Sequence, residues 1–232
     1  MIVVIQCSKR MTGEGYWREG GKKDGKEIWF VAEPDEDSHK DSGGRIVKKP
    51  GSFVEGSEKT TYLEALLEYN REFKKSGKNP CGLLHAWELC VPHYPRNIYE
   101  RLFQKYEKNL YILSSGWGLI RADFLTPKYN LTFSYTDVKA YECRKHKDGY
   151  DGDLRCLPLK PKEPCVFFAA QTSLEQLEFL TRNVKGEKYL FYNLQDVPDM
   201  PGFILEKYDR PSHKTSWQYT CAKRFMAKEI TI

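Results

Sequence analysis

Four short apolar runs limit what this chain can fold into. They cover residues 2–5, 110–113, 165–170 and 188–192, the last opened by Lys188. Each is too short for a typical helix and lacks the polar alternation of a strand with one wet face, so each reads as a strand buried on both sides. Ile2, Val3, Val4 and Ile5 are β-branched without interruption, which suits a central strand. Between the runs lie helical patterns. Thr61 opens one with Glu64 three residues on, as in a capping box, and Gly77 stops it. Residues 81–90 read as a short buried helix. Ile98, Leu102 and Tyr106 recur every four residues and mark the next. Leu174, Leu177 and Leu180 share a face behind a Thr172 or Ser173 cap. Residues 203–208 suit a last strand, and 215–228 a closing helix with Trp217, Cys221, Ala222 and Phe225 on one side. Helices alternating with buried strands specify one α/β domain over 1–232, a mainly parallel central sheet with helices on both faces.

Two segments break this alternation. Residues 11–60 are rich in glycine, and within them 27–32 reads as a strand whose partner begins at Tyr16 and Trp17 across Gly20 and Gly21. That segment is expected to be an insertion carrying a β-hairpin and loops. Residues 135–163 are polar and rich in cations, with Arg144, Lys145, His146 and Lys147 in one run. They read as a basic loop: a solvated face, or a surface that contacts phosphates with Tyr141 and Tyr150 as stacking partners.

Charge and cysteine content narrow the function classes. The formal net charge of +5 permits a nucleic-acid partner without requiring one. Seven cysteines, none in a C-x-x-C pair, read as reduced thiols of a cytoplasmic protein. The apolar run at the start is too short for a secretory signal, and no run reaches membrane-spanning length. The sequence lacks G-x-G-x-x-G, the Walker lysine loop, H-E-x-x-H and G-x-S-x-G, so dehydrogenase, P-loop and zinc-protease readings lose most of their support. Cys and His spacing offers no metal site, and no cofactor is expected.

The candidate site is where strands end. Beyond 110–113 come Ser114, Ser115, Gly116, Trp117 and Gly118, then Arg121, Asp123, Pro127 and Tyr129. Small residues at the carboxyl end of a strand leave backbone N–H groups open to a ligand. Asp123 is the expected general acid or base, kept ionised by Arg121; the alternative is a structural ion pair. Ser8, Lys9 and Arg10 follow the first strand and suit an anion, and they would activate Cys7 as a nucleophile by lowering its pKa. The alternative for Cys7 is a small core residue. Trp117 is either a stacking partner for a base or a core residue. Lys214, Thr215 and Trp217 open the last helix, where phosphate binding and ordinary capping compete.

These residues resemble the YaaA-like proteins, a family named for a bacterial peroxide-stress protein. Ile112-Leu-Ser114, Gly118-Leu-Ile-Arg121, Asp123, and Pro127 with Tyr129 are similar to its central motif, with Lys128 splitting the last pair. The first strand with Cys7, Ser8 and Lys9 resembles its lysine-bearing turn, and Lys223 its terminal basic helix. Segments 11–60 and 135–163 have no counterpart. The resemblance implies DNA as partner, a nucleotide-like ligand, and association with other DNA-modification proteins. One family member is associated with converting the nitrile of 7-cyano-7-deazaguanine in DNA to an amide. The expectation that follows is an enzyme that hydrates that nitrile; the alternatives are a non-catalytic DNA-binding protein of the oxidative stress response and a glycosylase acting on an unusual base.

Overall fold

The computed structural model describes residues 1–12, 17–18, 27–30, 38–40, 46–129, 131–133, 143–144, 149–209 and 216–232. In chain order the elements are β1 (Ile2–Gln6), β2 (Trp17–Arg18), β3 (Glu27–Phe30), β4 (Ser38–Lys40), β5 (Ile46–Lys48), α1 (Tyr62–Ser76), β6 (Leu84–His85), α2 (Ala86–Leu89) and α3 (Ile98–Tyr106). Then follow β7 (Leu110–Ser114), β8 (Gly118–Arg121), β9 (Leu125–Thr126), β10 (Leu154–Arg155), β11 (Cys165–Phe168), α4 (Leu174–Thr181), β12 (Lys188–Tyr192), β13 (Ile204–Lys207) and α5 (Trp217–Met226).

Seven strands form the central sheet in the order β10-β8-β7-β1-β11-β12-β13. The four apolar runs occupy its middle, parallel and adjacent: Gln6 lies opposite Leu113, Ile5 opposite Phe168, and Phe168 opposite Phe191. Every residue of β1, β7 and β11 is buried. Successive side chains of a strand point to opposite faces, so both faces of the sheet are covered there. One side of that cover is α5, which packs on β1, β11 and β12 and meets α3. The α1 ends follow local chemistry. The Thr61 hydroxyl accepts from the Glu64 N–H at 3.2 Å, the Glu64 carboxylate accepts from the Thr61 N–H at 2.8 Å, and Gly77 closes the helix in the left-handed region.

Three expectations need correction. Residues 81–90 hold only the four-residue α2, because Leu84 and His85 pair with Thr126 and Leu125. Part of 135–163 is sheet: Leu154 and Arg155 pair in parallel with Gly118 and Leu119. Its Arg144, expected at a basic surface, is buried. In the insertion, β2 runs antiparallel to β3 within a four-stranded sheet of order β2-β3-β5-β4. The Gly20–Gly21 turn lies outside the described residues, and so do Tyr141 and residues 145–148. Among the described residues no helix is long and apolar enough to cross a membrane.

Candidate functional site

The direction of β8 decides what the central motif can do. Gly118 turns the chain back so that β8 runs antiparallel to β7, with Ser114 opposite Gly118 and Tyr111 opposite Arg121. Gly118 has φ +87°, and a Cβ there would lie 2.6 Å from the Leu154 carbonyl oxygen. Only glycine fits that position. The motif is thereby split between the two ends of β7.

At the carboxyl end, Cys7 follows β1 and donates its N–H to the Leu113 carbonyl. Its Sγ lies 3.5 Å from Ser115 Oγ and accepts from the Ser115 N–H at 3.4 Å. Ser115 Oγ donates to the Leu131 carbonyl at 2.6 Å, and Ser114 Oγ lies 2.7 Å from the Tyr129 hydroxyl. Cys7, Ser8, Ser114, Ser115 and Tyr129 are all buried. Burial pushes the Cys7 thiol up, against the smaller opposing effect of the Ser115 hydrogen bonds. The expected lowering is therefore reversed, because Lys9 and Arg10 leave the core for solvent. The turn is not open to an anion either. Gly116 and Trp117 donate their N–H groups to Ser114 Oγ at 3.3 and 3.1 Å. Trp117 is wholly buried and presents no face to a base.

A second cluster meets this turn from the far side, and sequence reasoning missed it. Arg144 donates to the Ser115 carbonyl at 2.9 Å, to the Gly149 carbonyl at 2.7 Å and to Asp153 Oδ1 at 3.0 Å. Gln176, on α4, donates to Asp153 Oδ2 at 2.6 Å and to the Ser114 carbonyl at 3.3 Å. The ion pair is buried, with side-chain exposures of 9% and 6%. Desolvation pushes the Asp153 carboxyl up, outweighing the charge and hydrogen bonds of Arg144 and Gln176. Gly116, Arg144 and Asp153 border a cavity of about 260 Å³, walled also by Lys49, Ser52 and Leu131. Among the described residues Arg144 Nε and Gln176 Oε1 are buried without a hydrogen-bond partner. The only signal in the sequence was Gly149-Tyr-Asp-Gly-Asp153, a loop of glycine and aspartate inside the segment read for its cations.

Arg121 and Asp123 stand at the other end of the strand. Arg121 grips the carboxylate with both arms, Nε to Oδ1 at 2.8 Å and a terminal nitrogen to Oδ2 at 2.6 Å. Partial burial raises the Asp123 carboxyl, but the Arg121 hydrogen bonds and charge, aided by Lys74 and His85, bring it below the usual range. Ala122 donates to the Leu110 carbonyl while Cys7 donates to the Leu113 carbonyl. Asp123 and Cys7 are therefore separated along β7 by on the order of 10–15 Å, and no single reaction centre uses both.

Of the remaining candidates, Trp217 is buried and stacks on Tyr208 at 6.2 Å. Lys223 is half-buried with its ammonium 6.0 Å from the Tyr94 ring. Lys214 and Thr215 lie outside the described residues. The crevice between β1 and β11, where connections leave in opposite directions and ligands commonly bind, is bridged: Gln6 Oε1 accepts from the Ala170 N–H at 2.8 Å and from the Ser173 hydroxyl at 2.7 Å.

No family model, no curated protein and no solved structure matches this chain. The likeness to the YaaA-like proteins rests on the stretch from Ile112 to Tyr129, on Cys7, Ser8 and Lys9, and on Lys223.

Proposed function

We propose that this chain acts on a modified nucleobase in DNA, received in the cavity beside Gly116. The observation that carries the reading is the Arg144–Asp153 pair on the cavity wall, with Gln176 hydrogen-bonded to Asp153 behind it. It places a buried carboxyl with a raised pKa against the turn that bears the YaaA-like pattern. Such a carboxyl can exchange protons at a higher pH than an exposed one, as general acid–base work demands. In this reading Asp153 takes the role the sequence suggested for Asp123. The cavity is smaller than the about 300–1,000 Å³ of drug-sized sites, which suits one base rather than a whole nucleotide. Reaching it requires the base to leave the stack.

The most concrete reaction is hydration of the nitrile of 7-cyano-7-deazaguanine. The oxygen of water bonds to the nitrile carbon, one proton passes from water to Asp153, and a proton returns to the nitrile nitrogen. A shift of the remaining O–H proton to nitrogen gives the amide, with no oxidant or reductant consumed. DNA carrying the nitrile base, incubated with the protein and digested to nucleosides for mass spectrometry, tests it. Amide should form with the wild-type chain and with Asp123→Asn, and not with Asp153→Asn. Absence of amide with the wild-type chain removes the enzymatic reading.

A non-catalytic DNA-binding protein is the second reading. It is favoured by the state of the two groups first expected to react: the Cys7 thiol is buried and pushed up, and Asp123 is locked by Arg121. Salt-sensitive binding without any chemical change in the DNA is its signature. Seven cysteines outside disulfides support a cytoplasmic location under either reading.

A further inference from the structure

The chain just beyond β1 continues as an antiparallel bridge rather than a loop. Met11 pairs with Cys90, Val91 donates to the Arg10 carbonyl at 2.9 Å, and Thr12 donates to the Leu89 carbonyl at 2.9 Å. This pairing sets Lys9 and Arg10 beside the segment that holds His93, Tyr94 and Arg96. All five side chains are exposed, and Tyr94 keeps 45% of its surface open. From below, α5 supplies a sixth group. Its Tyr219 hydroxyl donates to the Cys7 carbonyl at 3.2 Å, and one turn on, Lys223 holds its ammonium 6.0 Å from the Tyr94 ring. Of the carboxylates near these residues in the sequence, exposed Glu100 accepts from Gln104 at 3.3 Å, and Glu229 lies 3.6 Å from Arg224.

We infer that Lys9, Arg10, His93, Tyr94, Arg96 and Lys223 form a binding surface for single-stranded nucleic acid. Cations from three separate parts of the sequence lie on the segments that meet here, and one of them, Lys223, stands 6.0 Å from the exposed Tyr94 ring. The cations suit the phosphates of a strand, and the ring suits a base stacked upon it. A single strand is the partner because the bases of a closed duplex offer no free face to the ring. The surface lies beyond the carboxyl end of β1, next to the strand whose carboxyl end bears the cavity. The inference deepens the proposed function and rests on it for the identity of the strand as DNA: it assigns where the displaced or opened strand is held while a base enters the cavity.

Fluorescence anisotropy of a labelled single-stranded DNA 20-mer, titrated with the full chain over a range of salt, tests the surface. Arg96→Ala with Lys223→Ala should weaken binding at least tenfold at low salt. It should also flatten the slope of log K against log salt by about 1.4, two phosphate contacts at about 0.7 each. Tyr94→Ala should cost about 5- to 150-fold at every salt concentration, with Tyr94→Trp restoring affinity. Arg71→Ala with Lys75→Ala, on the exposed face of α1, should bind as the wild type does. Binding by the Arg96/Lys223 double variant equal to wild type, equal loss in the α1 control, or tighter binding of duplex than of single strand each overturns the inference. Its failure is distinct from that of the enzymatic reading. Loss of binding in the surface variants with no amide formed by wild type defeats only the enzyme, and amide formation with unaltered binding in those variants defeats only the surface.

Discussion

Two arginine–aspartate pairs flank the same strand and behave in opposite ways. Arg121–Asp123 sits at the amino end of β7 with about a third of each side chain exposed, and its carboxyl is held below the usual range. Arg144–Asp153 sits at the carboxyl end, buried, and its carboxyl is pushed up. The first pair lies two residues apart in the sequence and is visible there; the second spans nine and is not. Proximity to an arginine does not by itself set the state of an aspartate. At Asp123 the charge and two hydrogen bonds of Arg121 win, whereas at Asp153 the removal of water wins. Under the proposed function that difference favours Asp153 over Asp123 as the proton-exchanging group.

The sharpest way to break the comparison is to remove each arginine. Arg144→Met leaves Asp153 buried and unpaired, so urea unfolding should show a loss of about 3–5 kcal/mol. A loss below that of the Arg121 variant would refute the contrast. Gly118→Ala comes next: a Cβ 2.6 Å from the Leu154 carbonyl forces β10 away and strains a left-handed residue. The expected cost is about 1–3 kcal/mol, read as a lowered melting temperature. Arg121→Met should cost only about 0–1 kcal/mol in the same urea assay.

Titration sharpens the comparison without a mutation. Carbon-detected NMR of the carboxyl groups should place Asp123 below 3.8, the ordinary aspartate value, and Asp153 above it. The stability consequences have opposite signs. Asp123, with its folded pKa lowered, contributes stability above 3.8 that disappears as pH falls through its folded value. Asp153, with its folded pKa raised, favours the fold most when protonated, and its contribution declines as pH rises from 3.8 through its folded value. In pH-dependent unfolding, Asp123→Asn should therefore flatten the acid limb, and Asp153→Asn should remove a decline above it.

Much of the scaffold was legible because its causes are local. Apolar runs at 2–5, 110–113 and 165–170, and the Lys188-led stretch 188–192, emerge as β1, β7, β11 and β12, and the Thr61–Glu64 box and Gly77 bound α1 as their chemistry requires. The candidate site was legible only in part. Ser114, Ser115 and Tyr129 do gather with Cys7 and Ser8 at the strand end. Trp117 and Trp217 are core side chains, since nothing in the local sequence distinguishes an aromatic that packs from one that stacks on a ligand. Arg144 was hidden inside a charge run, where each member looks solvated until a buried partner is found for one of them.

What the sequence determined by itself was the set of buried strands and capped helices, through periodicity, β-branching and hydrogen bonding between near neighbours. Tertiary structure alone decided which motif residues share a site. The left-handed turn at Gly118 reverses β8, and that reversal carries Arg121 and Asp123 away from Cys7, while Gln176 of α4 and Arg144, both bound to Asp153, reach Ser114 and Ser115. The physical reason is that strand direction and burial are long-range properties. A carboxylate's neighbours fix its chemistry, and here those neighbours come from across the sheet.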